Sequence, residues 1–458
     1  MKTSLREYIP YYKRNLKVAF PVMLTQIGAA LVGIADTVMV GHYGTTDLAA
    51  VSFGNGIFFT LMVFAMGALM GVTPLTGYAF VQHNDRRVAT LLQNGIWFTL
   101  LLGLITCAIL ALFVPMIPYM GQDPSVAATA KPYLITRIVG LLPFLFFCLE
   151  KNFLEGLGNT MVAMIITFVI NTLNVLLNWV FIFGHWGFSP MGAYGAGLAS
   201  LIASTLMPII FLIVILFKRD WRKYLALFSR SANSRSVLQE LRKVGFPIGV
   251  QTTMEAILFT ISFIMVGWIN KETQAAHQIA NNVADFAFML SLGVGAATTI
   301  RVSHQYGVKD YRAMRMAARA SLHLILLINT IGASLMIGLC AWLPKFFTND
   351  PKVIAIATPL LVFAGLFQYA DGLQCVGAGM LRGISDVRRP MQFAVVIYLL
   401  IALPLGWLLM FPAGLGVNGM WISFILALSL AAVLFLTRFH RLAKAMEQAH
   451  TQSARENE

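Results

Sequence analysis

Long apolar runs separated by short polar segments recur along the whole chain. Each run has about 20 residues or more, which is the length that an α-helix needs to cross the hydrocarbon core of a bilayer. The weaker alternating pattern of a closed membrane barrel does not occur. We therefore predict an all-α integral membrane protein with twelve transmembrane spans, roughly at residues 17–41, 53–80, 90–116, 132–156, 161–184, 193–217, 244–269, 277–303, 318–344, 355–381, 391–411 and 416–437.

The composition agrees with this pattern. Of the 458 residues, 58% are hydrophobic and only 11% are charged, whereas soluble domains carry about 25% charged residues. The first seventeen residues are basic and polar, and a full-length span follows them, so we expect no cleavable signal.

The distribution of positive charge predicts the topology. Of the 33 Lys and Arg residues, Lys131, Lys271, Lys345 and Lys352 fall on one side, Arg137 lies inside a span, and the other 28 fall on the opposite side. Positive loops stay cytoplasmic, so we predict that both termini are cytoplasmic. The formal charge of +14 then reflects topology. It does not require a nucleic-acid partner, although basic proteins often bind one.

The sequence contains an internal repeat with an offset of 226 residues. The segment KVAFP at 17–21 recurs as KVGFP at 243–247, and VMVG at 38–41 recurs as IMVG at 264–267. Six spans are therefore followed by six similar spans. An even number of spans gives both halves the same orientation, related by a pseudo-two-fold axis along the membrane normal. Parallel repeats of this kind are typical of transporters, with the substrate site near mid-membrane between the halves.

The repeat also predicts the domain organisation. We expect an N-terminal lobe at residues 1–217 and a C-terminal lobe at 244–440, each of six helices. The basic, partly amphipathic stretch 218–243 is predicted to be a cytoplasmic linker, and 441–458 a cytoplasmic tail.

Ionisable residues inside the spans are the strongest functional signal. Each costs about 2.5–3.5 kcal/mol on insertion scales, so it needs a partner or a use. The spans contain four such acids, namely Asp36, Glu255, Asp285 and Asp371. Two further acids, Glu150 and Glu155, lie beside Lys151 at the cytoplasmic end of the fourth span, and we interpret them as interfacial.

Helix rise places Asp36 level with two asparagines. Asp36 is nineteen residues beyond Lys17, and Asn178 is eighteen beyond Thr160, so each lies about 27–28 Å above the inner edge. Asn174 lies one turn before Asn178 on the same helix face. We therefore expect these three side chains to meet in the outer half of the N-terminal lobe, with Asp36 as an ion- or proton-coupling residue.

The same calculation predicts a second acidic site in the C-terminal lobe. Glu255 and Asp371 lie about 18 and 17 Å from the inner edge. Carboxylate and amide oxygens suit a hard monovalent cation, so we predict that Glu255 and Asp371 bind Na⁺. The predicted supporting polar residues around this site are Gln278, Asn282, Asp285, Gln368 and Gln374.

Signals for an enzyme or a resident cofactor are missing from the sequence. There is no GxSxG or HExxH pattern, and the four cysteines fall singly in separate spans. The segment GLGVNG at 414–419 matches GxGxxG but has no preceding strand, so it fails as a dinucleotide motif. We interpret His277 as a structural hydrogen-bonding residue. We expect neither an enzyme nor a cofactor.

Four long segments resemble a known family. They are ADTVMVGHYGTTDLAAVS at 35–52, NTLNVLLNWVFIFG at 171–184, AAHQIANNVADFAFMLSLGVGAATTIRVS at 275–303 and FQYADGLQCVGAGMLRGISD at 367–386. Together they resemble the multidrug and toxic compound extrusion (MATE) family, specifically its bacterial NorM-like branch, and the resemblance extends over residues 10–440.

The resemblance implies a cation-driven antiporter of the bacterial inner membrane. Such a protein exports hydrophobic, often cationic compounds in exchange for inward Na⁺ or H⁺, and we expect it to be a monomer. The N-lobe acid of the family falls on Asp36, with Asn174 and Asn178 as its companions, and the cation-binding acids of the C-lobe fall on Glu255 and Asp371.

Two other classes of transporter are alternatives to this interpretation. A lipid-linked oligosaccharide flippase of the same superfamily needs a cationic cavity for pyrophosphate. Arg137 is the only Arg or Lys that the pattern places at membrane depth, and the other charges there are acidic, which favours cationic cargo. A major-facilitator transporter would carry a G-x-x-x-D-R-x-G-R type of motif after its second span, and the sequence there, VQHNDRRVAT at 81–90, lacks it.

Overall fold

The computed structural model describes residues 5–229 and 234–456. Within these ranges most residues lie in helices, and none lies in a β-strand. The helices are α1 (Leu5–Tyr43), α2 (Thr45–Leu69), α3 (Val72–Val81), α4 (Asp85–Phe113), α5 (Pro124–Gly156), α6 (Met161–Phe183), α7 (Gly192–Phe217), α8 (Arg219–Ala226), α9 (Arg235–Gly267), α10 (Lys271–Gly307), α11 (Tyr311–Gly338), α12 (Pro351–Gly383), α13 (Arg388–Ala394), α14 (Leu403–Met410) and α15 (Val417–Glu456).

The helices confirm the predicted number of spans. In the part of the chain that the structure describes, twelve helical segments are long and apolar enough to cross a membrane. Three of these segments combine shorter helices, and one of the three is α4 with the 3-10 helix Val114–Tyr119 (Asp85–Tyr119). The second span is α2 with α3 (Thr45–Val81), and the eleventh span is α13 and α14 joined by a π-helical stretch at Val395–Ala402 (Arg388–Met410). The amphipathic helix α8 is too short to span.

Polar residues at the loop ends explain where several helices begin. A side-chain oxygen at the N-cap position accepts a hydrogen bond from a free backbone N–H of the first turn, which stabilises the helix start. Five helices have such a cap, provided by Asn84, Asp123, Asn270, Asp310 and Asp350. These polar residues are therefore structural.

The chain forms two compact units whose bounds differ from the predicted lobes. One unit is Ile27–Thr253, and the other combines Met1–Gln26 with Met254–Glu458. The chain passes from one unit to the other inside α1 and again inside α9. The repeat offset brings these two crossing points within one residue of each other. Residues 5–26 therefore pack with the second half of the sequence, and residues 218–229 and 234–253 pack with the first half.

Glycines account for this exchange, in which the first part of α1 packs with the second half of the sequence and the first part of α9 packs with the first half. In the unit that contains Met254–Glu458, a Cβ on Gly293 of α10 would lie 2.9 Å from the backbone nitrogen of Met23 in α1. In the Ile27–Thr253 unit, a Cβ on Gly71 would lie 2.9 Å from the backbone nitrogen of Gly245 in α9. Only glycine lets helix backbones approach this closely. The first parts of α1 and α9 are therefore fixed by backbone packing, which a division of the sequence at its linker does not reveal.

Candidate functional site

The predicted meeting of Asp36 with the asparagines of α6 is confirmed. Asn178 donates a hydrogen bond from its Nδ2 to Asp36 Oδ1, and also contacts Asn174 Oδ1 at 3.3 Å. Both asparagines are buried. Because Asn174 and Asn178 lie one helical turn apart, they present a continuous polar strip to the carboxylate of α1.

Arg137 of α5 joins this group, which the sequence analysis did not foresee. Its guanidinium lies 4.6 Å from the centre of the Phe58 ring and interacts electrostatically with the Asp36 carboxylate. Its Nε is buried without a hydrogen-bond partner among the described residues. The sequence feature that could have predicted its place in this group is its position, because Arg137 is an arginine at membrane depth. Asp36, Asn174, Asn178 and Arg137 are called the Asp36 cluster below.

A second group of acids lies in the other unit. Glu255 of α9, Asp285 of α10 and Asp371 of α12 come from three different helices, and the Asp371 carboxylate interacts electrostatically with both of the others. Asp371 is only 3% exposed, Glu255 is half-buried and Asp285 is exposed. These three residues are called the acidic cluster. The sequence analysis predicted Glu255 and Asp371 as the ligands of one site and Asp285 as a supporting residue, and the structure brings all three together.

Two further side chains near the acidic cluster were missed. The buried guanidinium of Arg382 interacts with Glu255, a contact that the sequence analysis did not predict. The phenol of Tyr398 accepts a 2.8 Å hydrogen bond from Gln374 Nε2 and interacts with Glu255 and Asp371. Tyr398 lies in the π-helical stretch Val395–Ala402, and such stretches occur often at functional sites.

The predicted supporting amides divide into two groups. Gln374 Oε1 and Glu255 Oε1 are buried and have no hydrogen-bond partner among the described residues, so they are available to a cation. Gln368 instead directs its Nε2 to Met336 Sδ of α11, away from the carboxylates. Gln278 and Asn282 form a 2.9 Å hydrogen bond to each other on the exposed face of α10.

The acidic cluster is rich in carboxylate and amide oxygens, which are hard ligands. In the part of the chain that the structure describes, no group of three or more His, Cys, Asp and Glu side chains is arranged to hold a metal ion. Two carboxylates with an amide oxygen fit the coordination that a monovalent cation accepts.

His277 has the structural role that the sequence predicts. It is fully buried, its Nδ1 accepts a 3.1 Å hydrogen bond from Trp421 Nε1, and its Nε2 lies 3.1 Å from Asn281 Nδ2. Both ring nitrogens are therefore engaged by protein side chains.

Comparison with known sequences agrees with the repeat and with the fold. The sequence model of the MatE family matches residues 21–180 and 247–408, two segments that begin 226 residues apart. The "Probable multidrug resistance protein NorM" of Rhizobium meliloti (strain 1021) is 33% identical over 456 residues, covering 96% of this chain and 95% of the relative. The protein of the same name from Xanthomonas campestris pv. campestris is 33% identical over 431 residues, with 94% of each chain covered.

Solved structures show the same architecture. A MATE crystal structure in complex with MaL6 superposes with a TM-score of 0.87 at 19% identity, covering 96% of this chain and 97% of that one. A MOP superfamily transporter from Pyrococcus furiosus, described as having a binding pocket of reverse polarity that suggests a different function, gives 0.84 at 18% identity, with 95% and 97% covered. At these identities the likeness concerns the fold alone, whereas the sequence matches extend over nearly the whole chain. The chain belongs to the MatE family.

Proposed function

We propose that the protein is a multidrug efflux antiporter, which exports hydrophobic or cationic compounds in exchange for inward Na⁺ or H⁺. The observation that carries this proposal is the pair of ionisable clusters inside membrane-spanning helices, one in each unit. Ionisable side chains at membrane depth are expensive and mark ion and substrate pathways. Membership of the MatE family and the names of the relatives support the same function.

We assign different tasks to the two clusters on the basis of charge. The Asp36 cluster has one carboxylate and one guanidinium, so it is electrically balanced when both are ionised. The acidic cluster has three carboxylates and one nearby guanidinium. The excess of negative charge favours the acidic cluster as the Na⁺ site, through Glu255 and Asp371. Asp36 then couples drug release to ion or proton binding.

The mechanism follows from linkage between the two ligands. Each ligand shifts the equilibrium between inward- and outward-open states only by its differential affinity for them. Ion entry from outside favours drug release, and drug binding from inside favours ion release. Inward movement of one positive charge contributes about 2.3 kcal/mol per 100 mV of membrane potential. Alternating access between two lobes is the simplest way for one protein to use this energy.

We propose that the protein lies in the bacterial inner membrane and crosses it several times, with both termini in the cytoplasm. We also propose that it is a monomer. The support is the one-sided placement of 28 Lys and Arg residues.

Ethidium efflux from cells that express the protein tests the function. Efflux should depend on expression, be stimulated by external Na⁺ and, if Na⁺ alone drives it, persist for a time in the presence of a proton uncoupler. An efflux rate that does not depend on external Na⁺ and falls to background when the uncoupler is added would identify H⁺ as the coupling ion. Efflux equal to that of cells without the protein would contradict the proposed function.

The alternative of a lipid-linked oligosaccharide flippase is less well supported. That function needs an unbalanced positive cavity for pyrophosphate. Arg137 interacts with Asp36, and Arg382 interacts with Glu255, so neither arginine offers an uncompensated positive charge.

A further inference from the structure

A cavity of about 410 Å³ lies within the Ile27–Thr253 unit, apart from the Asp36 cluster. It is lined by α4, α5 and α7, and α8 contributes Leu225 at one end. Its volume falls within the range of small-molecule sites, about 300–1,000 Å³. The lining is almost entirely aliphatic and aromatic, with Glu150 as its single ionisable residue and Thr205 as its other polar one.

The sequence analysis interpreted Glu150 as an interfacial residue beside Lys151, and the structure shows that Glu150 lines this cavity. The neighbouring Lys151 pairs with Glu155 at 3.8 Å instead. Glu150 Oε2 is buried and has no hydrogen-bond partner in the described part of the chain. Thr205 cannot satisfy it, because its hydroxyl donates to the carbonyl of Leu201 at 2.8 Å. An ionised carboxylate in an apolar cavity is costly, so the group takes up a proton unless a cation lies beside it.

The position of the cavity indicates how it is reached. Glu150 lies six residues before the end of α5 at Gly156, which is about 9 Å along the helix. That end is the side predicted to be cytoplasmic. The lining residues Ile209 and Leu212 of α7 are exposed, and apolar residues exposed on a membrane helix face lipid. The cavity therefore opens laterally into the leaflet predicted to be the inner one.

Helix α8 fixes the inner end of the cavity. Lys223 donates a 2.8 Å hydrogen bond to Asp85 at the start of α4, and Trp221 and Tyr224 are buried. These contacts hold Leu225 of α8 in the lining. The cavity is thus a formed part of the unit, built by four elements.

We propose that this cavity is an access site for lipophilic organic cations dissolved in the inner leaflet, with Glu150 as their counter-ion. The apolar lining takes the hydrophobic body, the lateral opening faces the phase in which such compounds concentrate, and the lone carboxylate takes the positive charge. The role in drug uptake rests on the proposed function, whereas binding itself does not require transport.

Photolabelling of the purified full-length protein in phosphatidylcholine nanodiscs tests the site. The probe is a benzyltriphenylphosphonium that carries a photoactivatable diazirine, and the uncharged comparison is 3-trifluoromethyl-3-phenyldiazirine. The cation should label peptides of α5 and α7 that line the cavity. In Glu150→Gln this labelling should fall about tenfold, since charge-assisted contacts are worth about one power of ten or more. Labelling by the uncharged diazirine should not change.

Two further variants separate charge from folding. Glu155→Gln removes a carboxylate from the same helix outside the cavity, and it should retain cation labelling. Ile209→Trp fills the cavity, and it should lower labelling by both probes. Each variant should elute as a single symmetric peak in size-exclusion chromatography.

Three results would overturn the proposal. They are equal cation labelling of wild type and Glu150→Gln, equal losses in Glu150→Gln and Glu155→Gln, and loss of labelling when phosphatidylethanolamine replaces phosphatidylcholine. The last result would identify a lipid ammonium headgroup as the occupant. Cavity labelling together with absent ethidium efflux would support the site and contradict only the proposed function.

Discussion

The two ionisable clusters differ in charge, although they lie in units built from two copies of one repeat. The Asp36 cluster combines one carboxylate with amides and the guanidinium of Arg137. The acidic cluster brings together three carboxylates with only Arg382 nearby. The repeat therefore supplies two similar scaffolds, and the side chains placed on them give each a different electrostatic character.

The aligned positions show that the fold does not need these acids. Ser262 is the counterpart of Asp36, and its hydroxyl donates a 2.8 Å hydrogen bond to the Phe259 carbonyl of its own helix. The repeat offset is 227 residues where GLGN at 156–159 aligns with GISD at 383–386, and at this offset Phe144 is the counterpart of Asp371. Phe144 packs against the Phe147 ring with centroids 6.0 Å apart. Since serine and phenylalanine occupy the equivalent positions, the repeated helices form without these acids, which supports the functional role proposed for them.

The largest effect is expected from Asp36→Asn. The amide keeps the size of the side chain but removes the only carboxylate of the Asp36 cluster, so drug efflux should fall to that of cells without the protein. Ethidium efflux and drug resistance measure this, with membrane abundance as the control for folding. Resistance at the wild-type level would show that Asp36 has no coupling role.

Loss of Na⁺ dependence is expected from Glu255→Gln and from Asp371→Asn. Each removes one charged ligand, which should raise the Na⁺ concentration for half-maximal stimulation about tenfold or more. Efflux measured over a series of external Na⁺ concentrations gives this value. If both variants keep the wild-type Na⁺ dependence, the ion binds elsewhere.

A tighter complex with cationic drugs is expected from Arg137→Gln. Removing the guanidinium leaves the Asp36 carboxylate uncompensated, so equilibrium binding of tetraphenylphosphonium should tighten about fivefold. Arg137→Lys retains the charge and serves as the matched control, with binding close to that of the wild type. Weaker binding in the glutamine variant would mean that Arg137 shapes the site rather than balancing its charge.

The smallest effect is expected from Asp285→Asn. This carboxylate is the most exposed of the acidic cluster, so we expect it to contribute less to cation binding than the buried Asp371. The Na⁺ concentration for half-maximal stimulation should rise only about twofold to threefold. A loss as large as that of Asp371→Asn would make Asp285 a direct ligand.

The position of a side chain along its helix could be predicted from the sequence, whereas the neighbour toward which the side chain points could not. A constant rise per residue placed Asp36 level with Asn178, and the structure joins them. The direction of Gln368 toward Met336 depends on how α11 packs against α12. The arginines beside the acids, and the cavity around Glu150, likewise arise from contacts between helices distant in sequence.

The domain bounds show the same limit. The repeat and its offset were readable, and the matched family segments begin at that offset. The exchange of the first parts of α1 and α9 could not be predicted from the sequence, because it depends on backbone contacts such as that of Gly293 with Met23.

Direct binding of ²²Na⁺ to the purified protein tests the division of tasks between the two clusters. Wild type and Asp36→Asn should bind Na⁺ with similar affinity, and Asp371→Asn should show no saturable binding in the same range. Loss of Na⁺ binding in Asp36→Asn with retention in Asp371→Asn would contradict the account.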